Sequence, residues 1–159
     1  MKHTYEIVPA TYELAAAVAA DMRQADIDEV WAAGRQRPEN AIRMSIEGSH
    51  DTAGIGLVDG EPVCAFGIGS WSVLRRLGVP WLLGTNKLAR HAPHFIRESH
   101  NYVEAAKDEF QVLENYIDAR NTEALKWLKW LDFKVDPAAP FGPDRLPFHR
   151  FHWEAEDVL

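Results

Sequence analysis

One cysteine, Cys64, is all the thiol this 159-residue chain has. No disulfide can form within it, and the expected compartment is a reducing one such as a cytoplasm. Nowhere do about 18 apolar residues run together, as a membrane-spanning helix needs, and the opening MKHTYEIVPATYEL has no apolar stretch of signal-peptide length. A membrane is therefore not an expected partner, and secretion is not expected. Basic residues are in deficit, since 17 Lys and Arg against 24 Asp and Glu leave a net charge of −7. That speaks against nucleic acid as a partner, because counterion release requires a concentrated basic face. Metal-binding patterns are missing too. His91 and His94 are interrupted by Pro93, His149 and His152 fall on opposite sides of a strand, and neither pair is joined by a Cys cluster or a His-Glu helical motif. No metal is expected.

The chain does have apolar content, 47% of its residues, enough to bury roughly 68–70% of the unfolded surface in one domain over 1–159. TYEIVPA alternates as a short strand, and Thr11 can cap a helix with Leu14, Val18 and Met22 on one face. Asp26 and Glu29 have capping-box spacing for a second helix that Gly34 would stop, and Pro38 can open a third with Ala41, Ile42, Ser45 and Ile46 inward. Residues 52–69 read as two strands joined by Asp59-Gly60, a dipeptide that tolerates the positive φ of a tight hairpin turn. The apolar run VPWLLGT at 79–85 predicts a strand buried on both faces, 86–110 a helix, 111–118 a strand and 121–133 an amphipathic helix capped by Asn121. Prolines 137, 140, 143 and 147 predict a long loop before a last strand, FHRFHWEA. Two apolar strands flanking one long helix predict a parallel crossover inside an otherwise antiparallel sheet.

This order, ending in Asn121, Ala124 and Phe133 in the register N-x-x-A-x-x-x-x-x-x-L-D-F, resembles the GNAT superfamily of N-acetyltransferases. The stretches PWLLGTNKLARHAPHFIR and NYIDARNTEALKWLKWLDF look like GNAT-like proteins of tailed phages, some of them internal virion proteins. The resemblance implies an α+β fold: a mixed sheet, mostly antiparallel, with one central parallel pair and helices on both faces. It implies acetyl-CoA as co-substrate and an amine-bearing acceptor, a small molecule or a protein such as a host protein, in a host cytoplasm or a virion. The alternative to that leading reading is a GNAT-shaped module that has lost catalysis and acts by protein binding. Trp71 and Trp130, which lie off the core pattern, would suit such a module.

Three positions depart from the family pattern. The glycine-rich pyrophosphate loop is absent from 85–95, where Arg90, Pro93 and Phe95 or Lys87, Arg90 and Ala92 stand instead. Leu128 occupies the place of the tyrosine that reprotonates the leaving thiolate, and Asp132 replaces the glycine before Phe133. By the resemblance, the pantetheine arm would pair along Trp81, Leu82, Leu83, Gly84 and Thr85. Lys87 and Arg90 would hold phosphates in place of glycine amides, and Asn121 would help bind the coenzyme. Alternation places Glu114, Tyr116 and Asp118 on one face of strand 111–118, with Tyr116 as proton donor and Glu114 or Asp118 as base. The same residues also suit packing, surface charge and helix capping. Cys64 reads as core.

Overall fold

Thr11 is extended, and its hydroxyl accepts a hydrogen bond from the Leu14 amide at 3.2 Å, so the expected cap starts α1 (Tyr12–Ala20) directly after β1 (Tyr5–Pro9). The computed structural model describes residues 2–72 and 74–156. Met22 lies beyond the end of α1 but stays buried through an isolated bridge to Thr85. In α2 (Gln24–Gly34) the capping box expected of Asp26 and Glu29 does not form. The N-cap position is Arg23, with no side-chain cap bond, and the Asp26 carboxylate is taken by the Gly84 amide. Gly34 is the last helical residue, and Arg35 makes the left-handed turn after it. Pro38 opens α3 (Pro38–Ser49) as expected, with Ala41 and Ile42 buried.

The hairpin of β2 (Gly54–Val58) and β3 (Glu61–Ser72) turns on Asp59 (φ 51°) and Gly60 (φ 82°), the two-residue turn the dipeptide predicts. Next come β4 (Leu77–Gly84), α4 (Leu88–Glu109) with Pro93 inside it, β5 (Val112–Asp118) and α5 (Thr122–Trp130). The proline-rich stretch is less irregular than expected. It carries β6 (Lys134–Val135) and β7 (Ala139–Phe141), both paired to β8 (Leu146–Glu154). Asp132 takes the left-handed conformation (φ 67°) where the resemblance has glycine.

The sheet runs β1-β2-β3-β4-β5-β8-β6, with β7 also on β8. Its ladders are antiparallel except for the β4–β5 pair, which is parallel. Side-chain alternation splits the core into two layers. Ile55, Ala65, Leu83 and Trp81 pack with Ala15, Val18, Ile27 and Ile42, so α1, α2 and α3 cover one face. Leu113, Ile117 and Phe151 pack with Ile96, Val103 and Leu131, and Cys64 and Phe66 with Leu88 and Phe95, so α4 and α5 cover the other. No described helix is long and apolar enough to cross a membrane.

The β7–β8 turn is fastened onto α2. A Cβ on Gly142 (φ +75°) would stand 2.0 Å from the Ala32 carbonyl oxygen, whereas a Cβ on Gly60 (φ +82°) would meet open space. Gly60→Ala should therefore cost about 1 kcal/mol of backbone strain. Gly142→Ala carries the same strain plus a backbone clash, and should cost several times as much. Chemical denaturation of the two variants, read as midpoint shifts, checks the ratio.

Candidate active site

The parallel pairing of β4 and β5 covers only Leu77↔Val112 and Gly78↔Leu113; past these residues the strands part. Pro80 has no amide hydrogen to continue the ladder, and its carbonyl accepts instead from the Asn115 side chain, Nδ2 at 3.0 Å. The Thr85 amide bonds Val63 on β3. By antiparallel alternation Leu83, Trp81 and Val79 also turn their backbone groups to β3, while Gly78, Pro80, Leu82 and Gly84 turn theirs to the gap. Leu82 thus presents an N–H and a carbonyl that no strand answers among the described residues. A cavity of about 260 Å³ passes through the sheet here, lined from one face by Asp26, Glu29 and Trp81 and from the other by Tyr102, Trp127 and Leu128.

Four polar side chains meet in the gap. Asp26 and Glu29, one turn apart on α2, both face the Asn121 amide nitrogen, at 3.3 and 3.4 Å. Asn121 is the N-cap of α5, but its side chain makes no cap bond, since these inward partners claim it. Its Oδ1 accepts from Arg23 Nη2 at 3.1 Å. Glu29 also accepts from the Asp118 amide at 2.9 Å. Burial, reinforced by the Asp26 charge, raises the Glu29 carboxyl to about 8 against those bonds. Burial raises Asp26 as well, opposed by Arg23, the Gly84 amide and Asn121. Arg23 spans the gap, with its Cδ against Gly84, its guanidinium 5.2 Å from the Trp127 ring centre and Nε 3.8 Å from Asp26. Its Nη1 is the one buried side-chain polar atom without a hydrogen-bond partner among the described residues, a state that typically costs ~1–3 kcal/mol.

The junction between β4 and α4 is filled by the chain itself. The Gly84 carbonyl accepts from Arg23 N–H and its amide donates to Asp26, both at 2.8 Å. Thr85 N–H goes to Val63, Asn86 N–H to Asp21, Lys87 N–H to the Thr85 hydroxyl and Leu88 N–H to the Thr85 carbonyl. The Ala89 and Arg90 amides are left open at the start of α4.

Several residues singled out in the sequence either line this cavity without joining the polar network or stand apart from it. Trp81 and Leu83 point their backbone to β3, and Trp81 Nε1 donates to Ser49. Thr85 is buried, with its hydroxyl on the Val63 carbonyl. Lys87 is paired with Glu61 at 2.6 Å; Arg90 is exposed. Glu114, Tyr116 and Asp118 share a face as read, but Glu114 is paired with Arg150 at 2.6 Å and Asp118 with Arg120 at 2.6 Å. Burial works upward on Asp118, yet its bonds to Arg120 outweigh it and hold the carboxyl below its ordinary value. Tyr116 lines the cavity and leans on Phe141, 4.4 Å between ring centres. The sequence reading missed Arg23, Asp26 and Glu29 as site residues. The signal for the two acids is that they fall on the helix stripe of Val30 and Ala33, which also lines the cavity. Burial pushes the Cys64 thiol up to about 12, which leaves no nucleophile there.

A carboxyl raised in the fold binds its proton at a pH where the unfolded chain has lost it, so it favours folding at low pH and ceases to do so as pH rises. For Glu29 the window runs from 4.5 to about 8. Glu29→Gln should match the wild type near pH 5 and become the more stable of the two above pH 8, since an amide keeps the acceptor for Asp118 and carries no charge. Thermal unfolding of both proteins across that range measures it, and a constant difference at all pH values would contradict the shift.

No protein-family model matches the chain, and no curated protein matches it in sequence. Solved structures do match in fold. Ard1 from Thermoplasma volcanium superposes with a TM-score of 0.74 at 12% identity, covering 96% of this chain and 99% of that one. An acetyltransferase of the GNAT family from Streptococcus pneumoniae gives 0.62 at 13%, covering 96% and 100%. The aminoglycoside acetyltransferase AAC(6')-Ib in complex with coenzyme A gives 0.65 at 14%, covering 96% of each chain. The α+β architecture expected from the resemblance, a mostly antiparallel mixed sheet with one parallel pair, is the fold of these acetyltransferases.

Proposed function

We propose that this chain is an acetyl-CoA-dependent N-acetyltransferase whose acceptor is an amine of a small molecule or a protein. The observation that carries the proposal is the placing of Glu29 in a cavity that crosses the sheet where two parallel strands part beside an unpaired Leu82 amide, and burial there raises its carboxyl. The residues present fit such a donor. The gap offers an extended arm the Leu82 carbonyl, and the first turn of α4 offers phosphates the Ala89 and Arg90 amides beside Lys87 and Arg90. The coenzyme supplies an acetyl group activated as a thioester.

Leu82 N–H donates to the carbonyl oxygen on which charge gathers. Glu29, ionised, takes a proton from the amine, directly or through one water; a carboxyl near 8 serves as base at neutral to mildly alkaline pH far better than one near 4 serves a basic amine. The C–N bond forms, the C–S bond breaks, and the departing sulfur needs a proton that Leu128 cannot give. Tyr102 lies on the Leu128 side of the sheet, edge-on to Phe66, the cross-strand neighbour of Leu82; its phenol, raised from its ordinary value and so protonated at neutral pH, gives the sulfur that proton and takes one back from solvent at its exposed edge. Tyr116 lines the cavity between Phe141 and the α2 side and bounds the acceptor entrance.

Calorimetric titration with CoA and release of free thiol from acetyl-CoA over a panel of primary amines test this reading. Glu29→Gln should lower kcat/KM about 10²–10⁴-fold and abolish a rise in rate centred near pH 8. Tyr102→Phe should lower kcat, and Tyr116→Phe should raise KM for the amine. A rate indifferent to Glu29 would remove the proposed base.

A second reading, a phage-type GNAT-fold module that binds a virion or host protein, is favoured by the self-satisfied amides of Gly84 to Leu88 and by Trp71 and Leu74, exposed at 81% and 98%. Absence of CoA binding at millimolar ligand would support it.

A further inference from the structure

We infer that Arg23 is a binding residue for the pantetheine arm of the acyl donor, its Nη1 donating a hydrogen bond to an amide carbonyl of that arm. The inference rests on the proposed donor and names a residue that gives the site its grip.

An extended amide-bearing chain entering a gap between strands ordinarily finds free edge groups on the strand beside it. At the outer end of β4 those groups are gone. The Gly84 carbonyl is held by Arg23 N–H and the Gly84 amide by Asp26. The residue that consumes the edge also sends its side chain across the opening, past Gly84 toward Asn121 and the face of Trp127. Two of its three guanidinium nitrogens have partners there, Nη2 on Asn121 and Nε near Asp26. Nη1 is enclosed, lies in a side chain that lines the cavity, and has none among the described residues.

The surroundings select the class of oxygen it takes. The charge of Arg23 is already met by Asp26, and Glu29 lies in the same network, so a phosphate brought to Nη1 would face two carboxyl groups and an aromatic ring. A neutral carbonyl suits the spot, and the arm between thioester and phosphates carries two of them. Arg23 thus gives back as a side-chain donor what its own backbone removes from the strand edge.

Calorimetric titrations with CoA, with pantetheine, and with adenosine 3′,5′-diphosphate, which lacks the arm, decide the matter on Arg23→Met and Arg23→Lys. The lysine variant retains the charge beside Asp26, and thermal unfolding reports whether each variant is folded. Both variants should raise Kd for CoA and for pantetheine by a similar factor of about 10–100 and leave the nucleotide unchanged. Unchanged or tighter CoA binding would overturn the inference, as would a loss shared by the nucleotide. If neither variant folds, a crystal structure of the wild type with CoA decides it: Nη1 within hydrogen-bond distance of an arm carbonyl supports it, and Nη1 elsewhere overturns it. Wild-type protein that binds neither CoA nor pantetheine removes the proposed function itself, whereas tight wild-type binding insensitive to Arg23 removes this inference alone.

Discussion

The parting of two parallel strands is the constraint on which the rest of the site depends. β4 and β5 approach closely at one end because Gly78 has no side chain. A Cβ there would stand 2.9 Å from atoms of Ile68, Phe110 and Leu113. Two residues further, Pro80 cannot donate, and the Asn115 side chain reaches across to its carbonyl. A side-chain bridge is longer than a main-chain ladder bond, so it props the strands apart while still tying them together. Sheets rarely leave backbone groups unanswered, and the open Leu82 N–H and carbonyl are the cost of keeping this slot.

The slot also sets the electrostatics of the network beside it. Asp26, in the first turn of α2, has Arg23, the Gly84 amide and Asn121 working for its charge, although burial outweighs them and raises its carboxyl. Glu29, a turn later, has amide donors but forms no ion pair among the described residues, and the charge of Asp26 works against it. Protonation is the inexpensive state for Glu29, and ionisation is the state the approach of a cationic amine would favour. A buried acid and a half-buried one, with one guanidinium between two helices and a strand end, therefore divide into a structural carboxylate and a titrating one. Asn121 joins the two by facing both acids with one amide group.

Much of the architecture was legible in the residues. Period and punctuation predict α1, α3, the Asp59-Gly60 hairpin and the crossover from β4 to β5, because in each the local pattern and the burial agree. The site was less legible. Asp26 and Glu29 stand three apart, a spacing that serves a capping box and an inward acid pair alike, and only the Gly84 amide, 58 residues away, decides between them. Asn121 has the right type and place for a cap, but long-range partners outbid the local one. Glu114 alternates correctly with Tyr116, yet its partner Arg150 comes from β8, which no local pattern reveals. β6 and β7 are too short, at 2 and 3 residues, to show a period.

The absence of a glycine loop and the placing of Arg23 in the gap are two sides of one arrangement. Amides can cradle a phosphate only while they are free and approachable. Here Asp21, Arg23 and Asp26 draw the linker between α1 and α2 down onto the end of β4, and in doing so they satisfy Gly84 and Asn86 from within the chain. Once those amides are answered, glycine confers no advantage at the junction, and bulkier residues such as Leu88, which fills the space over Gly84, become compatible with it. On the proposed function, the binding role those amides would have had moves to side chains that the same linker carries into the gap. On the proposed reading, recognition of the donor shifts from its diphosphate toward its arm, from exposed charge to enclosed hydrogen bonds, and therefore toward contacts that salt screens weakly.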